Sequence, residues 1–107
     1  MNRIAFLRAY IKREPADLFS RHALSMELVK LGNDDEARRL MEEILALDEY
    51  YLGTYYHLGK LHERQADLQA AKGVYLKGIE IAERLNERNP LRELKAALQQ
   101  VNDELEL

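Results

Sequence analysis

The sequence predicts an all-α chain built of stacked helix–turn–helix units. Three observations predict it. Apolar and small residues recur at helical spacing through Tyr55, Leu58, Gly59 and His62, and again through Ala71, Tyr75, Gly78 and Ile79. Between these runs stands Gln65-Ala66-Asp67, a break that carries an N-cap residue, so residues 52–85 hold two helices and a turn. Shifted back by about 34 residues, the same stretch lays apolar on apolar and small on small. Leu24 falls on Leu58, Ser25 on Gly59, Ala37 on Ala71 and Gly32-Asn33 on Ala66-Asp67. No strand-like alternation occurs.

The first helix is expected over residues 2–13, with Ile4, Leu7, Tyr10 and Ile11 on one side. Pro15 suits the first turn of a second helix, because its missing N–H would be unpaired there anyway. That helix should run to Leu31, with Leu24, Leu28 and Leu31 in the core, and stop at Gly32 as a left-handed cap. Asn33-x-x-Glu36 has the form of a capping box opening a third helix that ends near Leu47. Arg38–Glu42 and Arg39–Glu43 are expected as exposed i,i+4 pairs on it. Asp48 is expected to cap a fourth helix ending near Gln65, and Asp67 a fifth ending near Leu85. Asn89-Pro90 reads as the N-cap and first residue of a sixth. Its apolar residues Leu91, Leu94, Leu98, Val101 and Leu105 make one stripe, and the rest of its surface is polar.

At 107 residues the chain has the length of one domain. It should bury roughly 65% of its unfolded surface, enough for a core without staples. With 47% hydrophobic and 33% charged residues it has the balance of a folded helical protein. It has no cysteine, which excludes disulfides, thiolate metal sites and a cysteine nucleophile. A reducing cytosol is the expected compartment. The net charge of −3 gives no general case for nucleic acid. Charge is uneven, with Arg3, Arg8, Lys12 and Arg13 near the start and seven acids within residues 33–50. Solvated helix faces are the expected reading of both clusters. No apolar run approaches the ~20 residues of a membrane span. Arg8 also interrupts the apolar run from Ile4 to Leu7, so no secretory leader is expected.

The order Tyr55-x-x-Leu58-Gly59-x-x-His62, then Ala71-x-x-x-Tyr75, resembles the tetratricopeptide repeat (TPR) signature. The resemblance implies a TPR-like solenoid: a half repeat at 2–14, full repeats at 18–51 and 52–85, and a capping helix at 90–106. Arg21, Leu28 and His62 depart from the family's aromatic positions, and Glu49 stands where the family usually has proline. One period earlier that proline is present as Pro15. A helix pair cannot bury its apolar face alone, so such repeats stack. Gly59 and Gly78 would each cost about 1 kcal/mol inside a helix, which close packing must offset. Gly73 has no such explanation.

The three histidines, His22, His57 and His62, lack metal-ligand spacing, and His62 reads as a core residue. No phosphate-binding loop, dinucleotide fingerprint or nucleophile elbow occurs, and Ser20, Ser25 and Thr54 have no evident base. Neither a cofactor nor enzymatic activity is expected. Tyr55 is expected in the core, Tyr50 and Tyr51 over the junction between repeats, and Tyr56 off the core face.

The resemblance implies that the first helix of each repeat lines a concave groove. On the second helix this face is Phe19, His22, Met26 and Val29; on the fourth it includes Tyr56, His57, Lys60 and Arg64. The expected function is a non-catalytic adaptor binding a peptide or helix there. Lys60, Arg64 and the histidines would bias the groove toward a partly acidic partner. Carboxylate clamping of the kind one TPR subfamily performs with Lys and Asn is not expected, since His22 and Met26 stand at those places. The alternatives are a face covered by the chain's own termini, or a homodimer formed through the half repeat. A weaker one is a basic first helix meeting nucleic acid or an anionic membrane.

Overall fold

The computed structural model describes residues 2–107, and among them there are six helices and no strand. They are α1 (Arg3–Arg13), α2 (Leu18–Lys30), α3 (Asp34–Leu47), α4 (Gly53–Arg64), α5 (Leu68–Leu85) and α6 (Arg88–Leu105). The chain divides into two compact units, Met1–Asp48 and Glu49–Leu107.

In the first unit α2 packs on both α1 and α3. Leu7, Leu24, Leu28, Ala37, Met41 and Ile44 form its core. Three ion pairs join the helices: Arg3–Glu27 at 2.9 Å, Arg21–Glu43 at 2.7 Å, and a two-pronged contact of Arg8 with Glu36. The hydrogen bond from Arg8 holds the Glu36 carboxyl below the usual carboxylate range. Part of the basic cluster on α1 is thereby neutralised within the unit.

In the second unit α5 packs on both α4 and α6. Tyr55, Leu58, Leu61, Ala71, Tyr75, Ile81, Leu94 and Val101 are buried. The two glycines expected at close contacts are there. A β-carbon on Gly59 would stand 2.1 Å from the Tyr75 ring, and one on Gly78 would stand 2.7 Å from the Tyr55 β-carbon. The contacts are reciprocal: each helix offers a glycine to the other's tyrosine. A β-carbon on Gly73 would meet nothing within 4 Å.

Three helices end in the same way. Gly32, Ala66 and Asn86 each adopt a left-handed conformation. In each case the next N–H reaches back to the helix: Asn33 to Leu28, Asp67 to His62 and Glu87 to Ala82, at 2.9–3.0 Å.

Several expected boundaries shift. Pro15 lies in a turn before α2, whose N-cap is Asp17. Asp48 closes α3 instead of opening α4, whose N-cap is Leu52, four residues beyond the expected one. Glu87 precedes α6, so Pro90 is its third residue, still within the turn whose N–H groups lack helical partners. Asn33 bonds the Glu36 carboxylate and makes no side-chain cap to the backbone. Arg38–Glu42 forms at 3.2 Å, but Glu43 is taken by Arg21. Leu31, expected in the core, is 70% exposed because it sits at the C-cap, where the chain leaves the helix. His62 is half-buried, and Tyr50 is exposed beside Arg84.

Candidate functional site

The cleft between α4 and α6 begins with one turn of α4. Tyr55 and Leu58 face the core, so Tyr56, His57 and Lys60 emerge on the side that α6 borders. On α6 the buried stripe Leu94, Ala97 and Val101 fixes the helix rotation. That rotation brings Pro90, Glu93, Ala96 and Gln100 to the cleft's other wall.

The cleft holds two depressions of about 210 Å³ each, and Tyr56 and Glu93 border both. The first is closed by Leu52, Gly53, His57, Pro90 and Leu94. The second is closed by Lys60, Ala96, Ala97 and Gln100. Tyr56 and His57 meet edge to face at 5.6 Å. Lys60 Nζ lies 5.4 Å from the centre of the Tyr56 ring and 3.5 Å from the Glu63 carboxylate. That carboxylate also accepts the hydroxyl hydrogen of the buried Tyr75. Burial pushes the Tyr75 phenol above its ordinary range, and the bond to Glu63 adds to the shift. Burial lowers the His57 imidazole below its ordinary value, while Glu93 pulls it the other way.

The residues predicted from the sequence fall in three places. Tyr56, His57 and Lys60 come together in this cleft. Arg64 is exposed on the last turn of α4 and does not line it. Phe19, His22, Met26 and Val29 lie on α2 in the first unit, where Phe19 is 69% exposed and the others are half-buried. Sequence reasoning missed the α6 wall, because a hydrophobic stripe marks only the buried side of a helix. The available signal was Glu93, Ala97 and Gln100 at i, i+4 and i+7, a small residue between two polar ones.

Helix pairs with matching left-handed turns one period apart define a helical repeat protein. Two tetratricopeptide repeat family models match, at residues 52–84 and 20–47. A tetratricopeptide repeat domain protein from Salinibacter ruber is 40% identical in its solution structure. That match covers 83% of this chain and 90% of the other, with a TM-score of 0.79. Its crystal structure gives 41% identity over 80% and 97% of the two chains, with a TM-score of 0.77. The chain belongs to the tetratricopeptide repeat family. The TPR2B domain of yeast Sti1, from a complex with pHsp70, shares the fold at 16% identity. It aligns over 94% of this chain and 81% of its own, with a TM-score of 0.87. No curated protein matches the chain. Tetratricopeptide repeats generally mediate protein–protein interaction and are generally non-catalytic.

Proposed function

We propose that this chain is a non-catalytic adaptor that seats a segment of a partner protein in the cleft between α4 and α6. The observation that carries the reading is the pair of adjoining depressions sharing Tyr56 and Glu93. Apolar walls with a few polar groups at fixed places suit side chains presented by a peptide or helix. The α2 face of Phe19, His22, Met26 and Val29 is a second contact surface in the same reading. Nucleic acid and membrane are no part of it, and the engagement of Arg3 and Arg8 with Glu27 and Glu36 supports leaving them out. The fold shared with a domain seen in a protein complex is further support.

A photo-crosslinking amino acid at position 56 tests this in cells. A control carries the same group at Leu76, which is 48% exposed on α5. Adducts with a partner protein at position 56 and none at 76 are expected. Adducts at 76 alone would move the interaction surface elsewhere.

A second reading, self-association through α1, is favoured by Phe6. It is 52% exposed and stacks on Tyr10 at 6.4 Å. Leu7, on the apolar side of α1, is buried inside the unit, so Leu7→Glu would unfold it. Phe6→Glu is the informative variant. Sedimentation should show a dimer at micromolar concentration for the wild type and a monomer for Phe6→Glu. A monomeric wild type would remove this reading.

A further inference from the structure

We propose that the segment bound between α4 and α6 is basic, with a Lys or Arg side chain seated between Tyr56 and Glu93 and an apolar side chain beside it. The proposal rests on the cleft being the binding site. The sequence pattern points the other way, toward an acidic partner, because it counts Lys60 and the histidines as positive. The geometry changes that count.

Lys60 is matched by Glu63 at 3.5 Å and held over the Tyr56 ring, so the pair contributes no net charge. Glu63 is itself fixed by the Tyr75 hydroxyl, which keeps that partner in place. Burial pushes the His57 imidazole toward its neutral form, although Glu93 pulls it the other way. Arg64, on the last turn of α4, lines neither depression. On the α6 wall Pro90, Leu94, Ala96, Ala97 and Gln100 are uncharged.

Glu93 remains. It is exposed, it borders both depressions, and it faces the half-buried His57 imidazole, which it pulls toward the charged form against burial. An exposed carboxylate next to an aromatic ring suits a cation, through charge on one side and the π-face on the other. The depression walled by Leu52, Pro90 and Leu94 offers apolar contact to the neighbouring side chain. Lys60, already matched by Glu63, would attract an acidic segment only weakly, while Glu93 would repel it, so an acidic occupant gains nothing here.

Panning a random peptide library on the intact wild-type chain tests this, followed by fluorescence titration of a selected peptide. Enriched peptides should carry Lys or Arg next to an apolar residue. Glu93→Lys should weaken the selected peptide by about tenfold or more, as charge reversal at a close pair does. Tyr56→Ala should also weaken it, with both variants retaining the wild-type helical circular dichroism. Acidic peptides, or indifference to Glu93→Lys together with loss on Tyr56→Ala, would overturn the charge assignment and leave the cleft reading intact. Indifference to both substitutions, or no enrichment at all, would overturn both.

Discussion

The Tyr55 hydroxyl donates a hydrogen bond of 2.6 Å to the carbonyl of Glu49, six residues earlier. One period back, the same tether is made by a different side chain. The Arg21 guanidinium donates from Nε and Nη2 to the carbonyl of Pro15, at 3.1 and 2.9 Å. Arg21 departs from the family's aromatic position, yet it satisfies the same backbone group at the start of its unit. It also reaches Glu43 on α3, which a phenol would not. In each unit the side chain pins the turn that precedes the first helix of the repeat, so an aromatic and an arginine are interchangeable there for a stated reason: both carry an N–H or O–H donor on a long stem.

Removing the donor tests the tether. Tyr55→Phe keeps the buried ring and deletes only the hydroxyl, so about 0.5–1.5 kcal/mol should be lost in urea unfolding. Arg21→Met should cost a similar amount and also release Glu43. An unchanged midpoint for Tyr55→Phe would mean that water serves the Glu49 carbonyl equally well.

Glycine substitutions should split in sign. Gly59→Ala puts a β-carbon into the fully buried Tyr75 ring and should cost at least about 2 kcal/mol, because that ring has no room to retreat. Gly73→Ala meets open space on an exposed stretch of α5 and should stabilise by roughly 1 kcal/mol through helix propensity. Denaturation midpoints of the two variants should therefore move in opposite directions.

Ala66 holds φ at 61°, in the position that Gly32 occupies with φ of 78° one period earlier. A β-carbon is strained there, so Ala66→Gly should raise stability by about 1 kcal/mol. Gly32→Ala should lower it by about as much. The pair can be read from thermal midpoints, and a destabilised Ala66→Gly would refute the left-handed assignment.

His57 should make stability depend on pH. Its folded value is lowered by burial, against roughly 6.5 in the unfolded chain. The unfolded chain then binds the proton more readily. The contribution of neutral His57 is fully present above about pH 6.5 and is lost as pH falls from there through the folded value. Comparing unfolding at pH 7.5 and 5.5 should show the wild type losing more stability than His57→Gln, whose side chain at this position does not titrate.

The two-helix unit, its period and its turns were legible in the sequence because each depends on neighbouring residues. Gly32 tolerates a left-handed backbone, Asp67 accepts from the Ala70 N–H, and the 3.6-residue spacing of apolar positions decides which side is buried. The close positions at Gly59 and Gly78 were legible too, since a glycine inside a helix needs a reason. Helix starts were less so. Asp17, Asp48 and Asn89 can each cap or not, and the choice depends on where the preceding turn leaves the chain. Leu31 kept the helical spacing but lies at the C-cap, beyond Leu28, the last buried residue of α2, and is exposed.

The sequence by itself determined the family, the helix pairs and most of the buried residues, all products of local periodicity and turn chemistry. Only the tertiary structure decided the α6 wall of the cleft and the carboxylate exposed on it. Glu93 is polar on a polar helix side, and no local pattern separates it from its neighbours; what sets it apart is that packing of Leu94, Ala97 and Val101 turns it toward Tyr56. Lys60 looks like a free cation in the chain and becomes a matched one when Glu63, anchored by Tyr75 from α5, stands beside it. The Lys60–Glu63 pair is local to α4, but the hydroxyl that anchors Glu63 and the α6 wall facing it come from other helices, and that arrangement is fixed by the core beneath them.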